Sequence, residues 1–269
     1  MTDTRVVIVT GAGGGIGASI ASAAAQAGWG VGVLDHDPAA AHAVVATIGD
    51  AAVPLVADVT DERSIEHALD ALAEATGRPA PDAIVANAGI VRFGPLLDLP
   101  TADFRAVVDV NLTGTFLCTR AVARRQHSAQ HPGSIVAMTS MNGVAPGPNA
   151  GAYGATKAGV ALLVAQMAVE WGPFGIRVNA VAPGLIDAGM SQPIYSDPEI
   201  RALRSARVPL GRLGTAADVA AVVLFLLSDE AAYITGSEIV VDGGITRSII
   251  ATLPRPHSVD SIGVRDSAR

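Results

Sequence analysis

Hydrophobic positions along this chain come in short unbroken runs, with mixed, alanine-rich stretches between them. The runs are Val6 to Thr10, Val31 to Asp35, Val53 to Ala57, Ala83 to Ala86, Ser134 to Thr139, Arg177 to Ala182 and Ser237 to Val241. Short runs without polar alternation read as strands buried on both faces. The stretches between them, roughly 10 to 25 residues long, carry helical spacing. Strand and helix alternating in this way predict a parallel sheet covered on both sides: a doubly wound α/β fold of Rossmann type with about seven strands.

Two helix starts carry clear punctuation. Asp37 before Pro38 reads as an N-cap followed by proline at the first helical position, and Thr215 with Asp218 reads as a capping box. Two segments break the alternation. From Asp187 to Gly211, a stretch holding Pro193, Pro198 and Pro209 is too long for a plain connection, and a substrate-covering loop with a short helix is expected there. From Arg247 to Arg269, Pro254, Pro256 and mixed charge without a period point to a terminal arm. With no internal repeat and no dividing linker, residues 1–269 are expected to form a single domain.

Composition narrows the partners. Half of the residues are hydrophobic and 16% are charged, as expected of an extensively buried globule. A net charge of −7, with 18 basic residues in no dense run, argues against nucleic acid and anionic membrane and leaves small molecules as the expected partners. No window approaches 18 uninterrupted apolar residues, so no transmembrane helix is expected. The run starting at Val6 leaves no room for a signal peptide, and the lone cysteine, Cys118, reads as a small core residue in its apolar setting. Both point to the cytoplasm. No metal-binding set stands out.

The chemistry begins at Thr10-Gly11-Ala12-Gly13-Gly14-Gly15-Ile16-Gly17, which follows the first strand directly and opens a helix. Glycines there allow a tight turn and close approach of backbone to a diphosphate held at the positive helix end. Asp35 closes the second strand, where a carboxylate can accept hydrogen bonds from both adenosine ribose hydroxyls and repel a 2′-phosphate. One like-charge pair at about 4 Å and an effective dielectric near 20 costs roughly 4 kcal/mol. No Arg or Lys occurs between Arg5 and Arg63, so NAD is expected over NADP. Asp58-Val59 and Asn87-Ala88-Gly89, at the ends of the third and fourth strands, would flank the adenine and the adenosine ribose.

Tyr153 and Lys157 lie four apart on one face of a helix expected to run to about Trp171. A phenol is a poor base at neutral pH, and lowering its pKa by about three units takes roughly 4 kcal/mol, which an ammonium and a positive nicotinamide can supply. Lys157 is the only lysine against 17 arginines, in a chain with little other use for an ammonium. Ser140, thirteen residues before Tyr153, is placed to hold a substrate oxygen, with Thr139 and Ser128 as competing hydroxyls. Asn111 is expected mid-helix, positioning a water between Lys157 and solvent or bending the helix.

The order of these motifs, completed by Pro183-Gly184 and Asp242-Gly243-Gly244, resembles the short-chain dehydrogenase/reductase family over about residues 5 to 246. The resemblance implies a tetrad of Asn111, Ser140, Tyr153 and Lys157, hydride transfer at the nicotinamide, and cofactor contacts at Pro183, Gly184 and Ile186. It also implies a homotetramer assembled through two long helices near residues 101 to 127 and 153 to 171. Two departures stand out: Ala188 occupies a position where the family often has a cofactor-binding threonine, and Ala86 replaces the first asparagine of the usual Asn-Asn-Ala-Gly. The arm beyond Ile245 is long for the family and is expected to pack across a subunit boundary.

Expected pocket positions are Arg92, Phe93, Met141, Asn142, Asn149, Leu185, Met190 and Tyr195, with Asn142 beside Ser140 and Tyr153 at the substrate. Arg201, Arg204 and Arg207 form either a clamp for a carboxylate or sulfonate or a solvated helix face. The expected activity is NAD-linked interconversion of a secondary alcohol (polyol, sugar, cyclic or hydroxy-acid type) and its ketone. The alternatives are an NADPH-dependent 3-oxoacyl-carrier-protein reductase and a non-catalytic NAD-binding sensor or scaffold.

Overall fold

Seven strands, β1 (Val6–Thr10), β2 (Gly30–Asp35), β3 (Ala52–Val56), β4 (Ala83–Ala86), β5 (Gly133–Met138), β6 (Ile176–Pro183) and β7 (Glu238–Val241), pair in the order β3-β2-β1-β4-β5-β6-β7. Every pairing is parallel. The computed structural model describes residues 4–248, so the expected arm falls outside them apart from its first two residues. The helices are α1 (Gly15–Gln26), α2 (Pro38–Ile48), α3 (Glu62–Thr76), α4 (Thr101–Val108), α5 (Thr115–Ser128), α6 (Met141–Val144), α7 (Tyr153–Trp171), α8 (Gln192–Tyr195), α9 (Pro198–Ser205) and α10 (Ala216–Leu227).

Alternation along the strands divides the interior into two layers. Val6 and Ile8 of β1 face a core with Ile65 and Leu72 of α3, Cys118 of α5 and Val160 of α7. Val7 and Val9 face the opposite core, with Ile20 of α1, Ala41 of α2 and Val223 of α10. Since both faces are covered, the strands carry no polar alternation. Pro54 lies in β3, at the edge of the sheet, where a missing N–H costs least.

Local signals set the helix starts. The Asp37 carboxylate accepts from the N–H groups of Ala39 and Ala40 with Pro38 in the first turn, and Thr215 and Asp218 form the reciprocal capping box. The segment from Asp187 to Gly211 holds two short helices, α8 and α9, after a 3-10 turn over Gly189–Ser191, where one short helix was expected. Asp197-Pro198 starts α9 with the same cap chemistry as Asp37-Pro38, and each helix is too short to show its own period.

The long helix expected through Asn111 is interrupted by a π turn, Asp109–Gly114, between α4 and α5. A Cβ on Gly114 would stand 2.9 Å from Val59 Cγ2, so this turn packs against the chain just beyond β3. The sheet order reverses between β1 and β4. That switch point leaves a crevice beyond the strand carboxyl ends.

Candidate active site

The crevice is a cavity of about 860 Å³. Gly11, Gly15, Ile16, Gly17, Asp35, Asp58, Val59, Asn87, Ala88, Gly89, Ser140, Asn142, Tyr153, Lys157, Pro183, Gly184 and Ile186 all line it, and Asn111 does not.

At one end the glycine turn presents bare backbone. Gly11 and Gly15 have φ of 62° and 56°, a region in which side chains are strained. A Cβ on Gly17 would press on the Gly11 carbonyl oxygen and stand 2.6 Å from Asn87 Nδ2. Asn87 ties the turn to β4, its Nδ2 donating to the carbonyls of Thr10 and Gly11 at 3.0 Å, while Thr10 Oγ1 accepts from the N–H groups of Asn87 and Ala88. The α1 N-terminus has neither a capping side chain nor an acidic residue in its first turn. Its first N–H groups suit a diphosphate.

Asp35 Oδ2 accepts from Gly13 N at 2.8 Å and Oδ1 from Asp37 N at 3.1 Å, so the carboxylate is held in place. Asp58 accepts from the Thr60 N–H and hydroxyl, which holds its carboxyl below the usual carboxylate range. Bare backbone at the turn, an uncapped helix end and two carboxylates beyond it fit a nicotinamide dinucleotide, diphosphate at the turn and ribose at Asp35.

At the other end Ser140 caps α6, its Oγ accepting from Asn142 N at 3.2 Å. Tyr153 opens α7, and burial pushes its phenol up while the Ser140 hydroxyl pulls it back. The protein alone thus leaves the phenol high, opposite to the lowering a base needs. Lys157, one turn on, is buried. Its Nζ donates to the Met138 carbonyl at 2.7 Å and stands 5.6 Å from the Tyr153 ring centroid. Burial without a counter-ion brings its ammonium down to about 8.

Asn111 departs from expectation. Its side chain pairs with the Ile90 backbone in both directions, Oδ1 accepting from N at 2.8 Å and Nδ2 donating to O at 2.9 Å. Nδ2 also stands 3.3 Å from Thr156 Oγ1, and the Asn111 carbonyl accepts from Thr115 Oγ1. The amide is therefore engaged in fixing the chain after β4 to the start of α7, below the cavity.

Phe93, Met141, Leu185, Met190 and Tyr195 line the cavity as expected, but Arg92 and Asn149 do not. Arg92 turns to Asp103 at 3.8 Å and to its neighbour's carbonyl, and Asn149 takes a left-handed turn, φ 61°. Of the arginine triplet only Arg204 lines the cavity; Arg201 is bound to Asp187 and Arg207 is exposed. Ala188 also lines it and offers no hydroxyl. Sequence reasoning missed His36, Met138, Gly189 and Ile194 on the lining, although His36 adjoins Asp35 and the last two lie within the singled-out 187–211 segment.

Comparison with known proteins agrees with this geometry. A family profile described as Enoyl-(Acyl carrier protein) reductase matches residues 11–246. The chain is 40% identical over 249 residues to 2-(S)-hydroxypropyl-CoM dehydrogenase 3 of Xanthobacter autotrophicus, covering 90% of this chain and 96% of that protein. It is 41% identical over 246 residues to cis-4-hydroxycyclohexanecarboxylate dehydrogenase of Sinomonas cyclohexanicum, covering 90% and 96%. A crystal structure of a short-chain type dehydrogenase/reductase from Mycobacterium marinum superposes with a TM-score of 0.84 at 36% identity, covering 90% of this chain and 95% of that one. The chain belongs to the short-chain dehydrogenase/reductase family and is a nicotinamide-dependent oxidoreductase.

Proposed function

We propose that this protein is an NAD-dependent dehydrogenase interconverting a secondary alcohol and its ketone, with Tyr153 as the acid and base. The observation that carries this reading is that Ser140, Tyr153 and Lys157 line the same cavity as the glycine turn and Asp35. Bound nicotinamide supplies the hydride acceptor for oxidation and the donor for reduction.

Tyr153 Oη accepts the hydroxyl proton during oxidation and returns it during reduction. Ser140 Oγ donates to the substrate oxygen as charge develops there. Lys157 holds positive charge beside Tyr153 and offsets the burial that raises the phenol. Asn111 acts as a positioning residue, because it ties the chain beneath Lys157 through Ile90 and Thr156. Asn142 faces the substrate, with Asp58, Val59, Ala88 and Gly89 along the adenosine half and Pro183, Gly184 and Ile186 at the nicotinamide.

Asp35 selects NAD, since a 2′-phosphate beside its carboxylate costs roughly 4 kcal/mol at about 4 Å. Relatives named for 2-(S)-hydroxypropyl-CoM and cis-4-hydroxycyclohexanecarboxylate support a secondary alcohol as substrate. We place the chemistry in a single domain of residues 1–269, with 187–211 as the substrate loop and 247–269 as a terminal arm. The protein acts in the cytoplasm as a homotetramer joined through α4–α5 and α7. A second reading, a 3-oxoacyl-carrier-protein reductase using NADPH, has in its favour the likeness to a solved 3-ketoacyl-(acyl-carrier-protein) reductase from Brucella melitensis, and Asp35 against it.

The test is a screen of secondary alcohols with NAD, followed by absorbance of the reduced nicotinamide. Turnover lost in Tyr153→Phe, with NADH binding retained, is the expected result. Unchanged turnover in that variant overturns the assignment.

A further inference from the structure

The cavity wall is polarised. Its carboxylates, Asp35 and Asp58, stand at the ends of β2 and β3, on one wing of the sheet. On the far side Arg204 of α9, which follows β6, brings a guanidinium to the same cavity. Both charges therefore belong to one cavity but come from different parts of the chain, the carboxylates from the ends of β2 and β3 and the guanidinium from the segment after β6.

Arg204 is the one arginine of its triplet that lines the cavity, and it is uncommitted there, whereas Arg207 is exposed. Arg201 is held by Asp187, and Arg212 by Asp218. Arg204 forms no ion pair among the described residues. It sits half-buried, its Cζ 5.7 Å from the centre of the Tyr195 ring, and Tyr195 is itself buried and lines the cavity. Stacking on an aromatic face orients the guanidinium fork without neutralising it. Met190 and Ile194, on the same segment, supply an apolar approach.

We propose that Arg204 receives an anionic group, a carboxylate or sulfonate, carried by the substrate away from the carbon that is oxidised. The inference rests on the secondary-alcohol reading and names its substrate class: hydroxy acids rather than neutral alcohols or sugars. A planar fork suits a carboxylate in two parallel hydrogen bonds, and a neutral substrate would leave that cation without a partner beside an apolar wall. Arg204 is thus a specificity residue and takes no part in the proton chemistry.

The experiment compares, with NAD, two series of increasing chain length. One is hydroxyalkanoates from hydroxybutanoate to hydroxyoctanoate, with the hydroxyl on the penultimate carbon. The other is the matching secondary alkanols. The expected result is one chain length at which the hydroxy acid exceeds the alkanol in kcat/KM by about tenfold to a hundredfold, mainly through KM. Arg204→Met brings the ratio of hydroxy acid to alkanol kcat/KM to near one, and the ratio, not either series alone, is the readout. Arg204→Lys, a charge without the fork, keeps part of it. Should Arg204→Met fail to fold, Arg204→Gln carries the same comparison.

Equal turnover of the two series by the unaltered enzyme, or a preference that survives in the variants, overturns the proposal and leaves a solvated helix face. Absence of turnover in both series overturns the alcohol-dehydrogenase reading instead. In that case calorimetric titration of the hydroxy acids into the NAD-bound protein decides the point: binding that Arg204→Met abolishes supports the clamp, and binding that is absent or unchanged sinks it.

Discussion

Gly15 of the dinucleotide turn and Gly189 of the 187–211 segment approach so closely that a Cβ on Gly15 would stand 2.8 Å from the Gly189 Cα. Both have positive φ, 56° and 55°, and both line the cavity. Glycine at each position lets two backbones pass where side chains would hold them apart. Gly15→Ala is expected to weaken NADH binding by about tenfold or more, because it adds a clash to roughly 1 kcal/mol of backbone strain. Gly189→Ala, whose Cβ would meet Gly15 at an ordinary 3.5 Å, should show the strain alone. Titration by nicotinamide fluorescence separates the two.

The role proposed for Asp35 in choosing the cofactor predicts that Asp35→Ala shifts the ratio of NADPH to NADH affinity by about a hundredfold to a thousandfold toward NADPH. Part of the change will be a loss of NADH affinity, because the Gly13 and Asp37 N–H groups lose their acceptor. Parallel titrations with the two reduced cofactors measure the ratio. NADPH binding equal to or tighter than NADH in the unaltered protein would sink the role given to Asp35.

Lys157 makes stability depend on pH in the cofactor-free protein. Its folded value of about 8 lies below its ordinary 10.5, so between them the unfolded chain binds more protons. Stability from this group therefore rises with pH from about 8 toward 10, and the penalty of burying the ammonium is complete below about 8. Tyr153 acts oppositely: its raised phenol costs stability as pH climbs past the ordinary tyrosine value. Cys118 acts as Tyr153 does, because burial pushes its thiol up to about 12 from an ordinary 9.0, so its contribution falls above about pH 9 in any variant that keeps it. Urea denaturation from pH 8 to 10 should therefore show a difference in stability between the unaltered protein and Lys157→Met that moves in favour of the unaltered protein as pH rises.

Asn111→Ala should be severe. It strips the half-buried Ile90 N–H and C=O of their partners and empties the fully buried place of the Asn111 amide, a loss of about 1–3 kcal/mol. Chemical denaturation checks the size. A retained kcat in a folded variant would show that Asn111 serves the fold alone.

All seven strands were legible to within one residue at nearly every boundary, because runs such as Val6 to Thr10 are buried on both faces and carry no competing pattern. Asp37-Pro38 and Thr215 with Asp218 were legible because caps are local chemistry. The site was legible through spacing where one element carries it, as with Tyr153 and Lys157. What escaped is tertiary. Nothing local to Asn111 announces a π turn against the chain beyond β3 or a partner at Ile90, and nothing local to Arg92 announces that Asp103 draws it away. Arg204 was visible only as one of three; the Asp187 carboxylate that holds Arg201, and the exposure of Arg207 away from the cavity, tell it apart.

The asparagine bonds have a bearing on redesign. Asn87 fastens the glycine turn to the end of β4, and Asn111 fastens the next stretch of chain, at Ile90, to the helix bearing Tyr153. Neither asparagine touches residues 187–211 through these bonds. An engineer seeking a new substrate can therefore recut that segment beyond Gly189, which must stay against Gly15, whereas any change that shifts the cofactor relative to the reacting carbon must first rebuild two side-chain amides that no ladder of strand pairing would replace.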